Sequence, residues 1–317
     1  MLDHNTVVSF YGRAFSPHES MDNMAILGRL GYYDNFDQFY DAVLEYAGQV
    51  DAANGNLGVI PAMNIIYELA SATQELGGGT FLVNVEGYLA AFDAGTLAEN
   101  YIKPAEEKGV LVFLDNQLGL SSVREQAESM LAFLEEYTNV HFFFDPEFHI
   151  YPEQFESGEV TIPGRPIPGH IDAEDINQAL AAIRNFMTEK GIEREVIVGL
   201  HGFEDSNVMY DNRDMIVGKN DIVIPPGITL IIDADGFSAS ENSQAIKWTK
   251  YMGITDPEVY KIFGNGAYPG IKIFPPNAYV TSGQFDNDLF TPRQLMGLDP
   301  IRSGQYFERR PAMIILN

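Results

Sequence analysis

The chain has 317 residues, 45% of them hydrophobic, enough to fill the core of one large domain or two modest ones. Its 45 Asp and Glu against 19 Lys and Arg give a net charge of −26, a surface that repels phosphate backbones and argues against nucleic acid as a partner. Cysteine is absent, which excludes disulfides, thiolate metal sites and a cysteine nucleophile. The longest apolar runs are about half of the ~20 residues that a transmembrane segment needs, and Met1–Asn5 lacks the basic and apolar regions of a signal peptide.

Thr6–Tyr11 is a β-branched and aromatic run ended by Gly12, and predicts a first strand. After a polar loop with His18, apolar residues at helical spacing from Phe36 through Phe39, Tyr40, Val43 and Leu44 to Ala47 predict a helix. Leu57–Met63 reads as a second strand with an irregularity at Pro61. Asn64 to Glu75 reads as a helix stopped by Gly77-Gly78-Gly79, and Thr80–Val83 as a short third strand. A helix from Thr96 to Glu107 and a fourth strand, Val110–Asp115, follow. Ser121-Ser122 with Glu125 is a capping signature for a helix ending near Tyr137, and Val140–Asp145 is the fifth strand.

The segment from Ile150 to His170 is rich in proline and glycine and has no helical period, which predicts a lid or binding loop over Tyr151–Gly169. Asp172 caps an amphipathic helix through Ile176, Leu180, Ile183 and Met187, closed by Gly191. Val196–His201, Thr229–Asp233 and Gly270–Phe274 read as the sixth, seventh and eighth strands, with a helix from Ser240 to Met252 before the last. Strands alternating with helices predict an α/β fold, a single (β/α)8 TIM-type barrel or a distorted or seven-stranded variant of it. The barrel domain is expected to span 1–317, with 275–317 a C-terminal extension packed on it.

The polar residues gather at the carboxyl ends of these strands. In the run from His141 to His149, Phe142 and Phe144 face one way while Phe143 and Asp145 face the other, and Pro146, lacking an N–H, marks where pairing stops. Asp145 and Glu147 therefore stand where chemistry is usually found in parallel α/β folds. Tyr11 ends the first strand, Asn64 the second, and Asp115 with Gln117 the fourth. His201 ends the sixth strand, Asp233 and Asp235 the seventh, and Lys272 lies on the eighth. Leu111, Phe113 and Asp115 share a parity, as do Ile197, Gly199 and His201, and Ile231, Asp233 and Asp235, so these groups point into the barrel. A turn or a satisfied core position explains any one of them; burying several carboxyls together costs several kcal/mol apiece unless they are paired, protonated or metal-bound.

Two chemistries fit. Asp115 and Asp145 on adjacent strands, ~4.8 Å apart, are expected to force one pKa upward, giving an acid beside a carboxylate. With Asp233 opposite, the spacing suits a glycosidase, which needs carboxyls ~5–5.5 Å apart for retention or ~6.5–9.5 Å for inversion. In this reading Asp115, Asp145, Glu147 and Asp233 are catalytic, Tyr11, Asn64, Gln117, His201, Asp235 and Lys272 bind a carbohydrate-like substrate, and no cofactor is needed. The alternative is metal-assisted hydrolysis, with a divalent ion held by Asp115, Asp145, His201 and Asp233. A third reading keeps the barrel as the scaffold of a non-catalytic binding or structural protein. No G-x-S-x-G elbow exists, and Gly77-Gly78-Gly79 follows a helical pattern, unlike a phosphate loop.

Several motifs occur together in order: Phe10-Tyr11-Gly12, Ile60-Pro61-Ala62, Leu114-Asp115-Asn116-Gln117, Asp145-Pro146-Glu147, His201-Gly202-Phe203, Asp233-Ala234-Asp235-Gly236-Phe237, Ile271-Lys272-Ile273-Phe274 and Thr291-Pro292-Arg293-Gln294. In these the chain resembles a poorly characterised bacterial family of secreted or lipid-anchored proteins expected to form glycosidase-like barrels. The resemblance spans nearly the whole chain and implies an extracellular or cell-surface location. Gly202 and Ser238 depart from its pattern, standing where relatives have glutamine and glycine, so the resemblance carries over to the carboxyls and not to the detailed substrate contacts.

Overall fold

Alternating β-branched strands and amphipathic helices fold here as a closed parallel barrel. The computed structural model describes residues 2–12, 28–77, 80–90, 94–119, 121–149, 161–162, 165–166, 170–202, 216–236, 238, 240–275 and 286–317. In chain order the main elements are β1 (Thr6–Gly12), α1 (Phe36–Asn54), β2 (Val59–Gly77), β3 (Thr80–Ala90), α2 (94–108, with a π turn at Ala98–Ile102), β4 (Leu111–Gly119), α3 (Val123–Glu136), β5 (Val140–His149), α4 (Ala173–Lys190), β6 (Val196–Gly202), β7 (Ile228–Ala234), α5 (Ser243–Ile254), β8 (Tyr268–Ile273) and β9 (Met313–Leu316). Eight of the strands close a ring in the order β1-β2-β4-β5-β6-β7-β8-β9, every pair parallel, and β3 lies outside it. The fold is an α/β barrel of the (β/α)8 type.

The helices begin and end on local chemistry. Asn35 caps α1, Asp172 caps α4, and Ser122 and Glu125 form a reciprocal capping box on α3. Their apolar faces meet the outward-facing strand residues Met63, Ile65, Val112, Leu114, Phe142, Phe144, Val198 and Leu200 in one continuous outer core. Inside the barrel a second core holds Val7, Ala62, Ile66, Phe113, Phe143, Ile197, Ile231, Met313 and Ile315.

The structure departs from the sequence reading in three places. The expected helix from Asn64 to Glu75 is strand: β2 continues to Gly77 and turns back as β3 in an antiparallel hairpin beyond the barrel's carboxyl end. Period two wins here because Asn64 still pairs with β1 and β4, and Ile66 with β4, while Met63 and Ile65 pack outward. The run at Thr80–Val83 therefore belongs to the hairpin, and the ring's closing strand is Met313–Leu316, inside the segment expected as an extension. Pairing does not end at Pro146: after a register shift β5 resumes it at His149, opposite Gly119. The loop with His18 lies outside the described residues, as does most of Tyr151–Gly169. Within the latter, Thr161–Ile162 pairs with Arg165–Pro166, beside β3.

Register sets the heights of the inward-facing side chains. Extended around the ring, the pairing carries Tyr11 to the level of Asp3, a shift of eight residues, the usual shear of such a barrel. Inward side chains then fall into layers contributed by alternate strands. Tyr11, Asp115, His201 and Lys272 form one layer. Asn64, Phe143, Asp233 and Ile315 form the layer beneath it, and Ile66, Asp145 and Asp235 belong to the layer above.

Candidate functional site

The centre of the layered cluster is His201. Its Nε2 lies 2.9 Å from Asp115 Oδ2, and its Nδ1 lies 3.1 Å from Asp233 Oδ2 and 3.2 Å from Asp235 Oδ2. Its ring rests on Phe143 at 4.6 Å and meets the edge of Tyr11 at 5.8 Å. Burial and Lys272 both push the His201 pKa down, but Asp233 and Asp115 outweigh them and hold it well above the usual histidine range. The ring is thus an imidazolium donating through both nitrogens. His141, deeper in the barrel, shows the opposite: burial first, then Arg194, lowers it to about 3, and its Nδ1 accepts from the Ile197 N–H at 3.0 Å.

Lys272 completes the ring of charge. Its Nζ lies 3.0 Å from Asp235 Oδ2 and 3.7 Å above the centre of the Tyr11 ring. Burial disfavours its charge, yet Asp235, Asp145, Asp233 and Asp115 raise its pKa. Asp235 in turn is held below the ordinary aspartate range: Lys272, His201, Lys247 and the Gly236 N–H overcome the cost of burial. Tyr11 is pushed well up, first by burial and then by the surrounding carboxyls of Asp115, Asp145, Asp235 and Glu147, so it stays a neutral phenol.

The acids of β5 behave differently from Asp235. Burial raises Asp145 to about 7, against the opposing pull of His201 and Lys272. Burial followed by the charges of Asp145 and Asp235 raises Glu147 to about 8. The Glu147 N–H donates to Asp145 Oδ1 at 3.1 Å, a local turn that fixes the two acids relative to each other. Asp145 pairs with Gln117 and Asp115 with Phe143, which puts Asp145 one layer above Asp115. Asp115 and Asp145 are therefore diagonal neighbours on adjacent strands, with Asp115 among the charges that raise Asp145, and the hydrogen-bond partner of Asp115 is His201. Asp233 is raised, by burial above all.

All ten residues read from the sequence face the barrel interior or its rim. Tyr11, Asp115, His201, Asp233, Asp235 and Lys272 share direct contacts, and Asp145 and Glu147 act on them through charge. Gln117 is buried on β4. Asn64 is buried with neither of its amide atoms hydrogen-bonded. Gly202 has a physical reason to lack a side chain, since a Cβ there would stand 2.7 Å from the Asp233 carbonyl oxygen.

Sequence reasoning missed one supporting pair. Lys247 of α5 is buried against Asp286, Nζ to Oδ2 3.1 Å, and also donates to the Gly236 carbonyl beside Asp235. Asp286 accepts from the Ser238 N–H at 2.8 Å and the Phe274 N–H at 2.9 Å, so one carboxylate ties together the loops that follow β7 and β8. A lysine within an amphipathic helix carries no signal of this in sequence.

For a metal, the structure offers His201, Asp233 and Asp235, whose ligand atoms lie within 4.8 Å of one another. This grouping shares His201 and Asp233 with the expected set and takes Asp235 in place of Asp115 and Asp145. Asp115 sits on the other ring nitrogen and serves as a hydrogen-bond partner orienting the imidazole. Two surface hollows, one lined by Asp172, Asn177 and Asp221 and the other by Arg124, Glu128 and Phe186, lie on the helical exterior and do not touch this cluster. No helix among the described residues is long and apolar enough to cross a membrane. Compared with protein-family models and with curated proteins, the chain matches none.

Proposed function

We propose that the barrel is a glycoside-hydrolase-like enzyme whose carboxyls perform acid/base chemistry without an obligatory metal. The observation that carries this is the splitting of neighbouring acids: Asp145 and Glu147 are raised to about 7 and 8 while Asp235 is held ionised. A carboxylic acid that keeps its proton near neutral pH can deliver it to a leaving glycosidic oxygen. An ionised carboxylate nearby suits the positive charge of an oxocarbenium-like transition state. His201 and Lys272 balance the remaining negative charge. The family resemblance supports the same reading and, with it, a place outside the cell or at its surface.

The test is hydrolysis of a panel of aryl glycosides by the purified protein in EDTA. Turnover that disappears in Asp145→Asn or Asp233→Asn supports the proposal. Turnover lost in EDTA and restored by Mg, Mn or Zn favours metal-assisted hydrolysis, the reading that the His201, Asp233 and Asp235 grouping supports. No turnover on any glycoside, with oligosaccharides bound intact, favours a binding protein built on the barrel.

A further inference from the structure

Among the described residues, four buried polar atoms without partners lie on one wall of the barrel. Ser9 Oγ, both Asn64 Oδ1 and Nδ2, and Asp115 Oδ1 are buried and have no hydrogen bond. The residues come from the neighbouring strands β1, β2 and β4, and the register places them on an ascending diagonal, each one layer above the last. All three side chains are fully buried. Asn64 faces inward, because Ala62 and Ile66 of the same parity belong to the inner core. On the opposite wall every cluster group is engaged: His201 with Asp115, Asp233 and Asp235, and Lys272 with Asp235.

A buried carboxamide, hydroxyl and carboxyl oxygen left unpaired each carry the full cost of desolvation, and such groups are rare in folded proteins. An occupant that satisfies them has to donate to Asp115 Oδ1 and Asn64 Oδ1 and also accept from Asn64 Nδ2 or the Ser9 hydroxyl. A metal cation accepts nothing and leaves Nδ2 unpaired; it would also sit beside the His201 and Lys272 charges. An anion fails at Asp115. Ser9 and Asn64 lie beneath Tyr11 and Lys272 among the side chains of the inner core, so the occupant has to be small. A water molecule offers two donors and two acceptors, and buried waters commonly make about three hydrogen bonds to such groups.

We infer that Asn64 and Asp115 Oδ1, with Ser9 Oγ below them, form a built site for an ordered water molecule inside the barrel. The water extends the His201–Asp115 hydrogen bond down to β1 and β2, so the hydroxyl and the amide belong to the same network as the charged layer. This inference does not depend on the proposed hydrolysis and is tested without any substrate.

Two measurements decide it. A crystal structure at about 1.5 Å resolution or better is expected to show a density peak at hydrogen-bond distance, about 2.7–3.2 Å, from an Asn64 amide atom and Asp115 Oδ1. A peak with several oxygen contacts of about 2.3–2.6 Å, as for a hard cation, overturns the inference, and so does the absence of a peak. Thermal unfolding supplies the second readout through its sign. With water bound, Asn64→Leu expels it and strands Asp115 Oδ1, so Tm falls by several degrees, while Asn64→Ser, which keeps a donor and an acceptor, retains most of it. If the amide is unsatisfied in the native protein, Asn64→Leu removes a penalty and Tm rises, which overturns the inference. Should Asn64→Leu fail to fold, the crystal structure of the unaltered protein decides alone.

Discussion

The ring of Phe143 fills the space that a side chain on Gly199 would take: a Cβ at Gly199 would lie 1.9 Å from that ring. The two residues are register partners on β5 and β6, and His201, two residues further along β6, rests on the same ring. The glycine is what allows an aromatic floor under the imidazolium.

Gly199→Ala is therefore expected to destabilise the protein by about 3 kcal/mol, the upper part of the range for overpacking, because the ring is fully buried and packed against Phe113 and His201. Gly48→Ala on the exposed face of α1 meets nothing within 4 Å and is the matched control. It is expected to stabilise slightly, by about 0.5–1 kcal/mol. Urea unfolding of both variants checks the pair of signs.

The contact between Lys272 and Asp235 is a buried ion pair, and removing one partner of such a pair costs about 3–5 kcal/mol because the other is left uncompensated. Lys272→Met is expected to lose an amount of this order. The double variant Lys272→Met with Asp235→Asn is expected to recover part of it, since neither charge is then stranded. A double-mutant cycle by urea unfolding measures this, and simple additivity would show that the pair is not coupled.

The inward parity of Asp115, His201 and Asp233 was legible in the sequence because strand alternation is a local property and the surrounding residues are large and apolar. The barrel order of most strands was legible for the same reason. The β2–β3 hairpin was not: Ile65, Ile66, Leu69 and Ala70 also fit a helical period, and the pairing of Asn64 with β1 and β4 and of Ile66 with β4 decides between the two. Met313–Leu316 is four residues long and follows an irregular segment, so only ring closure identifies it as a strand. The contact of His201 with Asp115 crosses β5, and the level of Asp145 depends on the register; neither is encoded locally.

Stability is expected to fall as pH rises from about 4 to about 8. Asp145 and Glu147 keep their protons in the folded protein up to about 7 and 8 but lose them near their ordinary values when unfolded. Between those limits the native state binds more protons than the unfolded chain, so each step up in pH favours unfolding, and above about pH 8 the loss is complete. For Asp145 the rise corresponds to at most about 4 kcal/mol at 1.36 kcal/mol per pH unit, shared among the interacting carboxyls. Asp145→Asn removes this contribution. Relative to the unaltered protein it is expected to be more stable at pH 9 than at pH 5, as urea unfolding at the two values will show. A stability difference independent of pH would mean that Asp145 is not held protonated.

The last expectation concerns divalent ions. To enter the grouping of His201, Asp233 and Asp235, a metal has to displace the proton that Nδ1 shares with two carboxylates and stand near the Lys272 ammonium, 3.0 Å from Asp235. Both demands lower affinity, and the first lowers it further as pH falls. With 1 mM Mg, Mn or Zn at pH 7, Tm is therefore expected to shift by less than about 1 °C. An ion bound at a Kd of 10 μM would add about 2.7 kcal/mol under the same conditions, which is several degrees for a chain of this size. A shift of that size that vanishes in His201→Gln and in Asp235→Asn would assign the cluster to a metal. The proton on Nδ1 would then mark the metal-free state of a site in which Asp115 orients the imidazole from Nε2.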